Sequence, residues 1–277
     1  MLLISEPTQL VSDAGVIKAG RSSIDLFVLG ILAGVYIALA SCGSMTAAFS
    51  LLANPDTFGL GRCMMGLIFP CGLFLVSLAG AELFTGNTMM LLPLVQRRIS
   101  LIAMIRNWGI VYLGNFAGSL LIAYLIYLSG QLNGGGNLLG GVTIHTAAMK
   151  CSLTFVEAFS LGILCNWLVC LAIWMATEAR DVAGKILAIF FPIWLFVTAG
   201  FEHSIANMYF ITLGLFASKS PQWLESAAAI TRPEVLSMLT WENFFLTNLL
   251  PVTLGNILGG GVFVALVYGF VHRKKEE

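Results

Sequence analysis

An apolar run from Ile186 to Phe216 is interrupted near its centre by two ionisable residues, Glu202 and His203. A run of this length predicts a helix that crosses a membrane, because a span needs roughly 20 apolar residues. Ionisable side chains at mid-membrane depth cost roughly 2.5–3.5 kcal/mol or more, so they normally face a cavity and mark a functional site. The sequence therefore predicts a broken membrane helix with a site at the break.

A second apolar run carries the same interruption. Gly80–Asn87 and Gly200–Asn207 share the pattern G-x-E-x-x-x-x-N. Unwound backbone in a bilayer needs partners for its N–H and C=O groups. We expect the carboxylates and amides of both motifs to supply them, and Asn207 to cap the helix after the second break. The residues predicted to support the breaks in this way are Glu82, Asn87, Glu202 and Asn207.

Composition places the whole chain in a membrane. Hydrophobic residues make up 58% of its 277 residues and charged residues only 10%, against about 25% charged in soluble domains. The predicted spans are Leu26–Leu52, Met64–Leu94, Trp108–Leu128, Phe155–Ala176, Ile186–Phe216 and Phe244–Val271. Residues 1–24 predict an interfacial helix. The glycine-rich stretch Gly134–Gly141 predicts a loop, and residues 217–243 predict a longer connection with a short surface helix.

The two halves of the chain resemble each other. Leu29-Gly30-Ile31-Leu32 recurs as Leu161-Gly162-Ile163-Leu164, and the same offset relates Lys18 to Lys150. Leu113–Gly118 and Leu254–Gly259 also match, which pairs Asn115 with Asn256 as further candidate supports of the breaks. The alternative for these two amides is a role in packing faces of small residues.

Each half contains three spans, so the second half must enter the membrane from the opposite side. We predict an all-α membrane protein of six transmembrane helices, built as a 3+3 inverted repeat with broken second and fifth helices. Residues 1–277 form a single transmembrane domain, in which residues 25–130 are the first repeat and residues 150–271 the second. Such repeats place the pathway at their interface, near the midplane.

The basic residues predict the orientation. With both ends in the cytoplasm, ten of the 14 Lys and Arg residues fall in inner segments, as the positive-inside rule requires. The inner set is Lys18, Arg21, Arg97, Arg98, Arg106, Arg180, Lys185, Arg273, Lys274 and Lys275. The outer set is Arg62, Lys150, Lys219 and Arg232.

The second motif, Phe201–Asn207, together with Glu82–Gly86 and Asn166–Met175, resembles the formate/nitrite transporter family. The similarity extends from about Lys18 to Tyr268. The resemblance implies an aquaporin-like protomer with its own pore, a homopentamer in the lipid bilayer of the cytoplasmic (inner) membrane, and small monovalent anions as substrates. It implies no catalytic residue, no metal, no cofactor and no nucleic-acid partner.

His203 is the strongest candidate for the pore, because a neutral imidazole donates to an anion and a charged one passes it a proton. The resemblance adds Thr85 and Asn166 as polar pore contacts. Lys18 and Lys150 would attract anions in the two vestibules, unless they are ordinary surface charges. By resemblance, four further residues form the constrictions, although aromatic residues in apolar helices usually serve packing: Phe69, Leu73, Phe84 and Phe196.

The pattern predicts a channel or transporter for anions of weak acids, and formate, nitrite and hydrosulfide all fit. Stripping water from such an anion costs of order 20 kcal/mol in an ideal low-dielectric medium, so proton donation by His203 would let it cross as the neutral acid. Polar contacts alone are the other possibility. An aquaporin-like channel for neutral solutes is the first alternative function, although paired Asn-Pro-Ala motifs are absent. An intramembrane hydrolase would need Ser204 beside His203.

Overall fold

The computed structural model describes residues 5–272. Arg273, Lys274 and Lys275, which the orientation argument counts as inner residues, lie outside the described residues. The helices are Ser5–Gly20 (α1), Ser23–Leu52 (α2), Pro55–Ala79 (α3), Phe84–Val95 (α4), Leu101–Leu128 (α5), Leu138–Cys151 (α6), Phe155–Glu178 (α7), Val182–Ala199 (α8), Ser204–Ala217 (α9), Pro221–Ala228 (α10), Pro233–Leu236 (α11) and Trp241–Val271 (α12).

Within residues 5–272, six helices are long and apolar enough to cross a membrane, namely α2, α3, α5, α7, α8 and α12. The predicted all-α class with six spans is therefore confirmed. Several spans begin earlier than predicted, and α5 starts at Leu101 rather than Trp108 because Ser100 caps it, accepting from the Ala103 N–H at 3.2 Å.

The helices are interrupted at residues 80–83, between α3 and α4, and at residues 200–203, between α8 and α9. Gly80 and Gly200 end the preceding helices with φ of 82° and 80°. Glycine adopts this left-handed conformation at no steric cost, which is why it commonly follows a helix. Leu83 and His203 return the chain to extended geometry and begin the next helices.

Within each half of the fold, one pair of helices packs closely beside the break. Helix α2 packs on α5 so closely that a methyl group on Gly30 would lie 3.2 Å from the Gly114 Cα atom. Helix α7 packs on α12 in the same way, and a methyl group on Gly162 would lie 3.3 Å from the Gly255 Cα atom. Small residues permit this backbone approach in membrane helices.

The loop predicted for Gly134–Gly141 is partly wrong. A short turn covers residues 134–137, and α6 begins at Leu138 and contains Gly140 and Gly141. Both glycines are buried against α10, and a methyl group on Gly140 would lie 2.7 Å from an atom of the Trp223 ring. Tertiary packing therefore selects glycine here, and the glycines do not mark a loop. The longer connection contains two short helices, α10 and α11, where one was predicted.

Candidate functional site

Asn115 holds the open backbone of the first break. Its side-chain Nδ2 donates to the carbonyl oxygens of Gly30 at 2.8 Å and Glu82 at 2.9 Å. Its Oδ1 accepts from the Phe84 N–H at 2.9 Å. The Glu82 N–H donates to the carbonyl oxygen of Leu29 at 3.2 Å. One buried amide thus hydrogen-bonds to backbone groups at both ends of the unwound segment. A bilayer offers these groups no other partners.

Asn256 repeats these contacts at the second break. Its Nδ2 donates to the carbonyl oxygens of Gly162 at 2.8 Å and Glu202 at 3.0 Å, and its Oδ1 accepts from the Ser204 N–H at 2.9 Å. The Glu202 N–H donates to the carbonyl oxygen of Leu161 at 3.3 Å. The sequence repeat is therefore also a repeat of contacts.

The carboxylate of Glu82 is 3% exposed and binds side chains. Lys18 Nζ lies 2.9 Å from its Oε2, and Asn87 Nδ2 donates to the same oxygen at 2.8 Å. Lys18 also donates to Asn87 Oδ1 at 2.6 Å, and Arg21 Nε lies 3.5 Å from Glu82 Oε1. Asn107 closes the cluster by accepting from Asn87 and donating to the carbonyl oxygen of Lys18.

The carboxylate of Glu202 has a matching set of partners. Lys150 Nζ lies 2.7 Å from its Oε1, and Asn207 Nδ2 donates to its Oε2 at 2.6 Å. Asn248 accepts from Asn207 at 2.8 Å and donates to the carbonyl oxygen of Lys150 at 2.9 Å. The clusters differ in two ways within the described part of the chain: no arginine pairs with Glu202 as Arg21 does with Glu82, and Asn207 Oδ1 has no hydrogen-bond partner.

Asn107 and Asn248 were missed in the sequence. The signal was present, because the offset that pairs Asn115 with Asn256 also pairs these two amides. A search of the repeat for matched polar residues would have found them. Each ties a lysine backbone to a break motif, so the supports of each break include one amide more than predicted.

Two expectations about the second break are wrong. His203, and not Asn207, caps α9, because its Nδ1 accepts from the Ala206 N–H at 3.1 Å. Asn207 lies inside the first turn, where its backbone is already helical and cannot serve as the cap. The Glu202 carboxylate does not bind the open backbone, since Asn256 has taken that role and Lys150 attracts the carboxylate instead.

The His203 imidazole is 3% exposed and both of its ring nitrogens are engaged. Because Nδ1 accepts the Ala206 N–H, a neutral ring must carry its proton on Nε2. Nε2 lies 2.9 Å from Thr85 Oγ1 and therefore donates to it. Thr85 Oγ1 has no other partner in residues 5–272, so the threonine hydroxyl hydrogen remains free to donate. Neither ring nitrogen contacts Ser204, which disfavours the hydrolase alternative.

Asn166 links the two breaks. Its Nδ2 donates to the carbonyl oxygen of Thr85 at 3.1 Å, to Thr88 Oγ1 at 3.1 Å and to the carbonyl oxygen of Asn256 at 2.6 Å. Its Oδ1 is buried without a hydrogen-bond partner among the described residues. Asn166, Thr85 and His203 thus form one contiguous polar cluster between the halves.

A cavity of about 220 Å³ opens onto His203, and we call it the Lys150 cavity. Phe69 and Phe196 also line it, with ring centroids 5.6 Å apart, and the Phe196 ring stacks at 6.1 Å from the His203 ring. A smaller cavity of about 90 Å³, the Lys18 cavity, is lined by Lys18 and Gly86.

Two of the four predicted constriction residues, Phe69 and Phe196, line the Lys150 cavity together with His203. Phe84 does not line either cavity, and its ring packs edge-on against Trp108 at 6.0 Å and Tyr112 at 4.8 Å. Leu73 is 2% exposed and belongs to the hydrophobic core. The constriction roles of the four residues stay predictions.

Two broken helices that meet at a buried polar cluster, together with cavities lined by Lys150 and by Lys18, define a multi-pass membrane protein of the channel or transporter class. The chain matches the formate/nitrite transporter family over residues 5–270. It is 37% identical to "Formate channel FocA" of Escherichia coli (strain K12) over 279 residues, covering 100% of this chain and 96% of that protein. It is 38% identical to "Probable formate transporter" of Methanothermobacter thermautotrophicus, covering 90% and 89% of the two chains.

Among solved structures it is similar to a "Pentameric formate channel with formate bound", with a TM-score of 0.80, 36% identity, and 91% and 98% of the two chains covered. The chain belongs to the formate/nitrite transporter family. Relatives of this kind are channels and transporters rather than enzymes.

Proposed function

We propose that this protein conducts formate, or a similar small monovalent anion of a weak acid, across the inner membrane. The observation that carries the proposal is His203, which lines the Lys150 cavity and hydrogen-bonds to the buried Thr85 behind it. The formate channels and the formate transporter among its relatives favour formate over nitrite and hydrosulfide.

The polar cluster offers a hydrogen-bond donor to an anion that leaves the Lys150 cavity. The Thr85 hydroxyl hydrogen is free, and its oxygen is polarised by the Nε2–H of His203. A hydroxyl that accepts one hydrogen bond donates a stronger one. An anion that passes from the Lys150 cavity beyond His203 would therefore replace lost water contacts by a bond to Thr85.

His203 is the proposed proton donor. For the ring to pass its Nε2 proton through the Thr85 hydroxyl to an anion without becoming negatively charged, Nδ1 must take up a proton from the aqueous solution. That proton would face the Ala206 N–H, so the cap bond of α9 must open. Proton transfer and the start of α9 are thereby coupled. The ring remains a neutral hydrogen-bond donor until Nδ1 is protonated and the cap bond to the Ala206 N–H opens.

Lys18 and Lys150 are proposed to lie in opposite vestibules, with both termini in the cytoplasm. The inverted repeat and the excess of basic residues on one side support this orientation. By similarity to the pentameric formate channel, we propose a homopentamer in which each protomer carries its own pathway. Native mass spectrometry of the detergent-solubilised protein should give five copies, and a monomer would contradict the assembly.

Flux into proteoliposomes tests the function. Formate, nitrite and hydrosulfide are supplied side by side at equal concentration, with glycerol as a neutral comparison solute. We expect the fastest uptake with formate and none with glycerol. Uptake of glycerol without formate would favour the aquaporin-like alternative.

A further inference from the structure

The predicted anion-attracting lysine of the Lys150 cavity is electrically compensated. Lys150 Nζ lies 2.7 Å from Glu202 Oε1, and the lysine side chain is only 15% exposed. Both residues line the cavity. A cation and a carboxylate at this distance present little net charge to an approaching anion. Attraction of an anion into this cavity therefore requires a positive charge from another group.

Besides Lys150, Arg62 is the one Lys or Arg residue among the described residues that line this cavity. It lines the Lys150 cavity, is half-buried, and has no Asp or Glu oxygen within 4.0 Å among residues 5–272. An arginine guanidinium is always charged and carries five N–H donors. The structure shows none of these donors bound to a protein acceptor in the described chain. The donors are therefore available to an anion.

Two contacts hold the Arg62 guanidinium in place without neutralising it. The guanidinium carbon lies 5.4 Å from the centroid of the Phe58 ring, a cation–π arrangement. A methyl group on Gly200 would lie 2.7 Å from a guanidinium nitrogen, so the guanidinium rests directly against the second helix break. The cation is thus placed beside the segment that carries His203.

The other half of the molecule differs here. Arg21, on the side of the Lys18 cavity, lies 3.5 Å from Glu82, the carboxylate that also binds Lys18. The repeat duplicates the lysine and the glutamate, but Arg62 has no counterpart, because the offset that relates the two break motifs places Val182 at the matching position. The unpaired cation is therefore particular to the cavity that reaches the imidazole.

We propose that Arg62 is a binding residue for the permeating anion, which it draws from the Lys150 cavity toward His203 and Thr85. This inference rests on the proposed anion transport. Fixed charge in a cleft raises the local concentration of a counter-ion and its rate of entry by about tenfold or more. The effect must weaken with added salt, because the Debye length falls from about 30 Å at 0.01 M to about 3 Å at 1 M ionic strength.

The test is initial formate uptake into proteoliposomes by wild type, Arg62→Gln, Arg62→Lys and Arg232→Gln. Arg232 is an exposed arginine predicted on the same side of the membrane, and it does not line the cavity. At about 10 mM salt we expect Arg62→Gln to lower uptake about tenfold, with Arg62→Lys and Arg232→Gln within about twofold of wild type. Near 1 M salt the difference should shrink to about twofold.

A fifth variant removes any effect of folding. Arg62→Cys, in a background without the six native cysteines, is reconstituted first and then modified with a cationic or an anionic methanethiosulfonate. The cationic reagent should restore uptake and the anionic reagent should abolish it. Equal uptake after both reagents, or wild-type uptake by Arg62→Gln at low salt, would overturn the role of Arg62. Absence of formate uptake in wild type would instead contradict the proposed function itself.

Discussion

Replacing Asn256 by leucine, an apolar residue of similar size, removes the three side-chain hydrogen bonds that Asn256 makes to backbone at the second break. Three hydrogen bonds are lost, of 2.8, 2.9 and 3.0 Å, to Gly162, Ser204 and Glu202 backbone groups. Measured hydrogen bonds are worth about 0.6 kcal/mol on average in a membrane protein and about 1–1.5 kcal/mol in soluble ones. We therefore expect a loss of roughly 2–4.5 kcal/mol in the free energy of unfolding.

Asn115→Leu should destabilise by a similar amount, because its three bonds of 2.8, 2.9 and 2.9 Å go to matching backbone groups of the first break. Unfolding is followed by tryptophan fluorescence as SDS is added to mixed micelles. Ser119→Ala is the matched control: Ser119 is buried in α5, and its Oγ has no hydrogen-bond partner among residues 5–272. Losses below about 0.5 kcal/mol for both leucine variants would refute the assignment of these amides as supports of the breaks.

The remaining predictions concern charge and orientation. Lys150→Met should destabilise the fold by about 3 kcal/mol because it leaves the buried Glu202 carboxylate unpaired, and adding Glu202→Gln should recover most of that loss in the same SDS titration. Equal stability of the single and double variants would mean that the ion pair does not matter. In intact cells, cysteines placed at exposed positions 129 and 219 should react with a membrane-impermeant maleimide, and one at position 180 should not. The reverse labelling pattern would place the termini outside.

Much of the fold could be predicted because hydrophobic length and spacing determine membrane spans almost directly. The breaks could also be predicted from the sequence, because a glutamate five residues before an asparagine is unusual inside an apolar run and occurs in two of them. The sequence repeat also pairs Asn115 with Asn256, and in the structure the two side chains bind equivalent backbone groups.

What failed was the assignment of partners within the site. Sequence shows that Glu202 and Asn207 lie near unwound backbone, but it does not show that Lys150 reaches that carboxylate from another helix. The ion pair engages the Glu202 carboxylate, which therefore does not bind the open backbone. The cap of α9 is His203. Helix α6 was missed for a related reason, because Gly140 and Gly141 are selected by the close approach of α10 and not by local conformation.

The pH dependence of formate uptake by wild type and His203→Asn tests the central claim most directly. Asparagine is a good N-cap residue, so this variant keeps the start of α9 and removes only the titrating ring. Between about pH 5 and about pH 8, the range in which histidine ordinarily titrates, we expect wild-type uptake to change with pH. His203→Asn should retain a pathway for formate but lose that dependence. Superimposable curves for the two proteins would remove His203 from the transport mechanism and leave it as the cap of α9.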